Sequence, residues 1–386
     1  MQISVLNELL LEEEIVESYE SLIWTERWRS VGDFEIKIDP DIPDASLFRH
    51  GTRLSFSRSN RVMVVDTIDN SLDEDGRRLL TIKGPSLEAV LEDRANVALA
   101  KGDLPPAEVV LSNPPADIMR NLFDAICVSN TADVTDRLEF VQPAGSPPVS
   151  NIIAPPGTVT IRTIFESLYA TLTKIAEAYD LGFRLVRDGV DLYFEVYTGN
   201  DRTSGQTDLP TVIFSPGLDT LTDVKQIVST ALVKNVAYVY SKADARVVYA
   251  PDIDVNIGGF SKKLLLVDAT DLDLPAGTEL DEALEQRGFE ALSKQRIVIG
   301  FDGKIDETGP YIYGVDYELG DLVEQQDESG DKNYMRVTEQ IFVKDKEGYR
   351  EYPTLVLNDV VLAGTWYTLP AYKQWYDFTT EQWVDV

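Results

Sequence analysis

The segment Glu20-Ser-Leu-Ile-Trp-Thr-Glu-Arg-Trp28, running into Gly32-Asp-Phe-Glu-Ile-Lys-Ile38, decides the reading of this chain. Leu22, Trp24 and Trp28 share one parity, as do Phe34, Ile36 and Ile38, while Asp33, Glu35 and Lys37 take the other. Alternation of apolar and charged side chains at period two is the mark of half-buried strands. Arg29 to Gly32 is then the turn of an antiparallel hairpin.

A second signature lies almost three hundred residues downstream, in Asp316-Tyr-Glu-Leu-Gly-Asp-Leu-Val323. Gly320, between Leu319 and Asp321, offers a backbone free to take a positive φ before a strand over 321–324. A turn at 327–331 and a strand from Tyr334 to Val343 complete a β-meander.

Between these points the chain reads as β-rich α+β. Strands are expected at 52–57, 61–69 and 79–83, with a turn at 73–76, and together with the hairpin they suggest a small barrel or sandwich. Ser86 is a candidate N-cap for a short helix to Leu91. Four Pro-Pro pairs, at 105–106, 114–115, 147–148 and 155–156, set off the next stretch. Within it one helix is expected to begin near Pro114, carrying Ile118, Leu122, Ala125 and Ile126 on one stripe. Another is expected from Ile161 through Ile164, Phe165, Leu168, Leu172 and Ile175 to Tyr179, ending at Gly182. A hairpin of 183–186 with 192–197 follows. After a polar boundary at 200–208 come strands at 211–214, 223–230, 233–240 and 264–267, a helix from Thr278 to Lys294, and strands at 296–300 and 354–357. The domain expectation is therefore a first barrel-like unit over 1–100, an α+β module over 101–205, a second barrel-like unit with a helical insertion over 206–365, and an aromatic tail over 366–386.

Composition narrows the function. With 386 residues, 44% hydrophobic and 26% charged, the chain has globular values and room for two or three cores. Its 66 acidic against 35 basic residues leave a net charge of −31, which opposes sequence-independent binding to nucleic acid. The single cysteine, Cys127, stands in an apolar stretch and reads as a small buried hydrophobe. The N-terminus lacks the basic start of a signal peptide, and no apolar run approaches the roughly 20 residues of a membrane span. Synthesis in a cytoplasm is the expectation.

Candidate chemistry is sparse. His50 is the only histidine, and no Gly-x-Ser-x-Gly turn accompanies it, so a Ser-His-Asp site is not supported. One His and one Cys fall short of a zinc ligand set, and phosphate-binding glycine loops are absent. A calcium loop over 71–82 would place Ile82 where a bidentate Glu is needed, which excludes it. No cofactor and no metal are expected. Carboxylate pairs for glycoside hydrolysis can be nominated anywhere in so acidic a chain, and so carry no specificity. Residues 251–290 hold ten carboxylates against three cations, either as a solvated face or as the lining of a channel that DNA traverses without adhering. Trp366, Tyr367, Tyr372, Trp375, Tyr376, Phe378 and Trp383 crowd 366–386 and suggest a docking segment, with a carbohydrate-binding strip or a fold-back over the chain's own core as rivals.

The Trp hairpin and the Asp316–Val323 meander, in this order, resemble the minor tail proteins and tail-tip hub proteins of long-tailed bacteriophages, including the hub region of tail-associated lysins, over residues 1 to about 360. The resemblance implies a structural virion protein at the tail tip, without enzymatic activity. It implies a homotrimer whose two barrel-like units per chain match a sixfold tail tube or distal tail ring and hand over to threefold tip, fibre or receptor-binding proteins. DNA would be transiting cargo only. In that setting Trp24, Trp28, Phe34, Leu319, Gly320 and Asp321 are expected to be structural or assembly residues, and Trp366, Tyr367, Trp375, Tyr376 and Trp383 docking residues. The sequence ends soon after the second unit, without the long peptidase or fibre domain of many tail-associated proteins. A wall-degrading enzyme and a sugar-binding receptor module remain the rival functions.

Overall fold

A computed structural model describes residues 2–72, 76–143, 157–218, 220, 222–229, 233–250, 253–272, 274–293, 295, 298–304, 311–326 and 332–357. Residues 73–75 of the turn expected at 73–76, the turn expected at 327–331, the Pro-Pro pairs at 147–148 and 155–156, and the whole aromatic tail lie outside these residues.

The first eight strands are β1 (Ile3–Leu6), β2 (Glu12–Val16), β3 (Ser21–Arg27), β4 (Asp33–Ile38), β5 (Arg53–Phe56), β6 (Val62–Val64), β7 (Thr67–Leu72) and β8 (Arg78–Pro85). They divide into a four-stranded sheet, β2-β1-β5-β6, and a run β3-β4-β8-β7. The period-two alternation of β3 and β4 turns Leu22, Trp24, Phe34, Ile36 and Ile38 into one core with Ile3, Leu54 and Phe56. Trp24 packs 5.4 Å from Phe56 and 6.2 Å from Phe34, ring centre to ring centre. Phe342, from the far end of the chain, closes this core 5.4 Å from Phe56.

The middle segment contains β9 (Val109–Asn113), α1 (Pro115–Phe123), β10 (Val141–Gln142), β11 (Val159–Thr163), α2 (Leu168–Ala178), β12 (Gly182–Asp188) and β13 (Asp191–Tyr197). Both helices bury their apolar stripes against the β12–β13 hairpin, with Phe123 stacked on Phe194 at 4.1 Å. The helix expected from Ile161 is corrected at its start. Residues 159–163 extend and pair with β9, and the helix begins at Leu168, where the Ser167 hydroxyl accepts the Ala170 N–H. The β-branched run Val159-Thr-Ile161 favours the strand, and the capping serine sets the boundary. Ser86 precedes a 3₁₀ turn, Leu87–Asp93, rather than an α-helix; its hydroxyl accepts the Gly32 N–H at 2.8 Å and ties that turn to the β3–β4 hairpin.

The last segment contains β14 (Ile213–Phe214), β15 (Thr222–Ser229), β16 (Val236–Tyr240), β17 (Ala245–Tyr249), β18 (Leu264–Asp268), α3 (Thr278–Ser293), β19 (Val298–Lys304), β20 (Leu322–Gln326), β21 (Lys332–Asp345) and β22 (Gly348–Leu357). β17-β16-β18 is a small sheet of its own, with β16 and β18 parallel and α3 packed on one face. α3 corresponds to the helix expected from Thr278, and β17 is a strand absent from the expected pattern.

The two β-rich units do not pair separately. β3 pairs along one edge with β4 and along the other with β21, Trp24 opposite Phe342, so the strands form one sheet in the order β15-β19-β22-β21-β3-β4-β8-β7, with β20 on β21 and β14 on β20. The β-rich α+β class holds, and among the described residues the strand paths are open, with no closed barrel. Alternation tells which face of a strand is buried; it does not tell which strand lies beside it.

Candidate functional site

Trp28 stands just beyond β3, where three parts of the chain meet. Its N–H donates to the Thr338 carbonyl of β21 at 3.0 Å, and its own carbonyl accepts the Phe183 N–H of β12 at 3.3 Å. Its ring is buried with Tyr197, Phe214, Tyr317, Leu319 and Val337, a core separate from that of Trp24. The shared parity expected of Trp24 and Trp28 thus leads to two different cores.

Two glycines make room for the indole. A Cβ at Gly182 would lie 2.1 Å from Trp28 Nε1, and one at Gly320 would lie 2.6 Å from the same atom. Gly320 also takes φ +90°, the positive φ expected for it. The guanidinium carbons of Arg29 and Arg336 lie over the indole, 3.7 and 4.5 Å from its centre. Asp180 pairs with both arginines, and Arg336 also donates to the Gly320 carbonyl. Burial pulls both guanidinium groups below their ordinary range, against the attraction of Asp180.

The position of Asp180 follows from how α2 ends. Leu181 N–H reaches back to the Ala176 carbonyl at 2.9 Å, and Asp180 takes φ +54°, the left-handed residue of a Schellman turn. Glycine commonly fills that place; here an aspartate does, aimed at two arginines. Asp180-Leu-Gly182 after a helical period was therefore a signal for this junction, whereas Arg29 and Arg336 carried none.

Next to the junction, Asp321 is buried and accepts from Asn200 N–H at 2.7 Å, Glu318 N–H at 3.0 Å and Arg202 Nε at 3.2 Å. Burial pushes its carboxyl up, although these three donors oppose it. Glu324, on β20, behaves oppositely: burial acts upward first, but the Ser204 hydroxyl and Lys332 ammonium hold the carboxylate and bring it below its ordinary value of 4.5. A folded-state value below the unfolded one stabilises the protein at neutral pH, and that contribution fades as pH falls through the folded value. Glu324→Gln should consequently flatten the acid limb of stability below pH 4.5, measured by urea unfolding at successive pH values.

Beneath β3, a second polar layer joins the first segment to the middle one. Arg61 and Glu88 form a buried ion pair, with side chains 3% and 2% exposed, and Glu88 also accepts the Leu185 N–H of β12 at 2.9 Å. Arg184 pairs with Glu195 at 2.6 Å and lies over the Tyr197 ring, while the Tyr313 hydroxyl donates to Glu26 at 3.2 Å. No sequence pattern marked these partners, because they lie up to 287 residues apart.

Of the residues singled out from the sequence, Trp24 and Phe34 share the first core, and Trp28, Leu319, Gly320 and Asp321 converge at the junction. Trp366, Tyr367, Trp375, Tyr376 and Trp383 lie outside the described residues. His50 is exposed, its Nδ1 2.7 Å from the Asp66 carbonyl. Cys127 is buried and its thiol is pushed up to about 12 by burial. Among the described residues no group of three or more His, Cys, Asp or Glu could hold a metal ion, and no helix is long and apolar enough to cross a membrane. The chemistry of the junction is that of ion pairs and packed aromatics that hold segments together.

Relatives place this architecture. No curated protein sequence matches the chain. Among solved structures, the 43 kDa tail protein of prophage MuSo2 from Shewanella oneidensis is similar at TM-score 0.56 and 15% identity, over 93% of this chain and 99% of that one. A tail protein from Neisseria meningitidis MC58 is similar at TM-score 0.54 and 14% identity, over 94% and 98%. Prophage tail protein gp18 from Listeria monocytogenes EGD-e reaches TM-score 0.50 at 14% identity, over 93% and 95%. At these identities the likeness is one of fold. The model of the Siphovirus ReqiPepy6 Gp37-like proteins matches residues 2–354, and the chain, with the fold of bacteriophage tail proteins, belongs to that family.

Proposed function

We propose that this chain is a structural tail protein that forms a trimeric hub at the tail tip, joining a sixfold tail tube or distal tail ring to threefold tip or receptor-binding proteins around the DNA exit channel. The observation that carries the reading is the likeness in fold to tail proteins along more than nine-tenths of both chains. The junction supports it. Trp28, Asp180 and Gly320 bind the three β and α+β segments into one unit, as a ring component under load during DNA passage requires. A net charge of −31 suits a channel wall that must not hold DNA.

Mass measurement of isolated tails should count three copies per tip. The purified chain, whose 31 negative charges oppose self-association at low salt, should assemble more readily as ionic strength rises. Six copies per tail would rule out the threefold hub.

Trp366, Tyr367, Trp375, Tyr376 and Trp383 are in this reading the handle for the next tip or fibre protein. Truncation after Ala363 should leave a stable protein that still joins the tail tube while the next component fails to attach. Complete infectious tips from the truncated chain, or its misfolding, would remove the docking role.

A further inference from the structure

Among the described residues, the three-stranded sheet β17-β16-β18 is covered by α3 on one face only. On the other, Val247, Tyr238 and Leu266 stand side by side in register, 43%, 41% and 68% exposed, with Leu264 beside them. Phe260, four residues before β18 begins, is fully exposed, and Lys262 and Lys263 follow it, also exposed. Contiguous apolar surface of this kind marks an interaction site more often than a solvated face. Its charge is also unlike the rest of the chain: residues 233–268 hold five cations against four carboxylates, in a protein of net charge −31.

The complement is on the same molecule. The β1–β2 hairpin ends in a knuckle whose Leu9, Leu11 and Ile15 are 52%, 43% and 50% exposed, interspersed with exposed Glu8, Glu12, Glu13 and Glu14. Residues 8–20 carry six carboxylates and no cation. Hydrogen bonds and packing tie the knuckle to its neighbours. Leu10 takes φ +60°, buries its side chain against Val62 and Leu192, and gives its carbonyl to Arg187 Nε at 2.8 Å, while Asn7 Oδ1 accepts the N–H groups of Leu9 and Leu11. Apolar and acidic, it complements an apolar and basic-edged sheet face.

We propose that the outer face of β17-β16-β18 receives the β1–β2 knuckle of a second copy of this chain. Two different patches that complement each other make a head-to-tail contact, which generates a closed ring when the rotation between copies allows it. The lysines at 262 and 263 meet the knuckle's glutamates and set which copy faces which, while the leucines, Phe260 and Tyr238 supply the contact area. This assignment rests on the ring reading above and says which surfaces close it.

The test uses full-length chains and two surface variants, Leu9→Ser/Leu11→Ser/Ile15→Ser on the knuckle and Phe260→Ser/Leu266→Ser on the face, each checked by circular dichroism and thermal melting. At an ionic strength where the wild type assembles, each variant alone should sediment as a monomer. Mixed in equal amounts they should form a dimer and nothing larger, because one intact face and one intact knuckle remain per pair. A wild-type trimer that either variant also forms overturns the surface assignment while leaving the hub standing. So does a mixture that stays monomeric, a knuckle variant that self-associates through paired faces, or cross-linking in purified tails that places a different tail protein on Phe260. A wild type that is monomeric under every condition and not threefold in tails overturns both readings.

Discussion

Glu88→Ala should unfold at markedly lower urea concentration than the wild type, with a loss on the order of 3–5 kcal/mol, the usual cost of stranding one partner of a buried ion pair. Arg61 would be left without its carboxylate in a site where its side chain is 3% exposed, and the Leu185 N–H would lose its acceptor. In the intact protein burial acts first to lower the Arg61 guanidinium, yet Glu88, Tyr197 and Glu26 together outweigh it and the group sits above its ordinary range. Removal of both charges is a different experiment. Arg61→Met with Glu88→Leu replaces the pair by apolar groups of similar size and should recover most of the loss, since such replacements are often neutral or stabilising by ~1–4 kcal/mol. If Glu88→Ala unfolds at the wild-type midpoint, the pair is not part of what joins the first and middle segments.

Gly320→Val should be the most damaging single change at the junction. Two costs combine: a β-branched residue held at φ +90°, on the order of 1–3 kcal/mol, and a side chain driven into the Trp28 indole, again about 1–3 kcal/mol. Gly51→Val separates them, because Gly51 takes φ +83° but a Cβ there meets nothing within 4 Å. It should incur the conformational cost alone. The difference in unfolding free energy between the two variants then measures the contact with Trp28. Equal losses would mean that the indole moves aside freely and that the junction is looser than its packing implies.

Much of the local structure was legible because it depends on neighbours in sequence. The alternation in 20–38 marked β3 and β4 with their buried faces, and Gly320 was marked by the turn that needs its positive φ. The Asp180–Gly182 helix end was marked by the loss of period, though not the use to which the aspartate is put. The start of α2 was misplaced for a local reason too: Ile161, Ile164 and Phe165 fit a helical stripe, but the β-branched residues before them had a strand partner in β9 that no local pattern could supply.

What residues do locally was therefore determined by the sequence alone: β-rich α+β elements and a strongly acidic composition. Only the tertiary structure decided that β3 lies beside β21 and joins both ends of the chain in one sheet, that Trp24 and Trp28 enter separate cores, and that Arg61 finds Glu88 and Arg336 finds Asp180. The physical reason is that hydrogen-bonding edges and buried charges are satisfied by any partner of the right chemistry. With 66 carboxylates for 35 cations, composition alone offers each arginine many partners, and packing around the aromatic cores selects one.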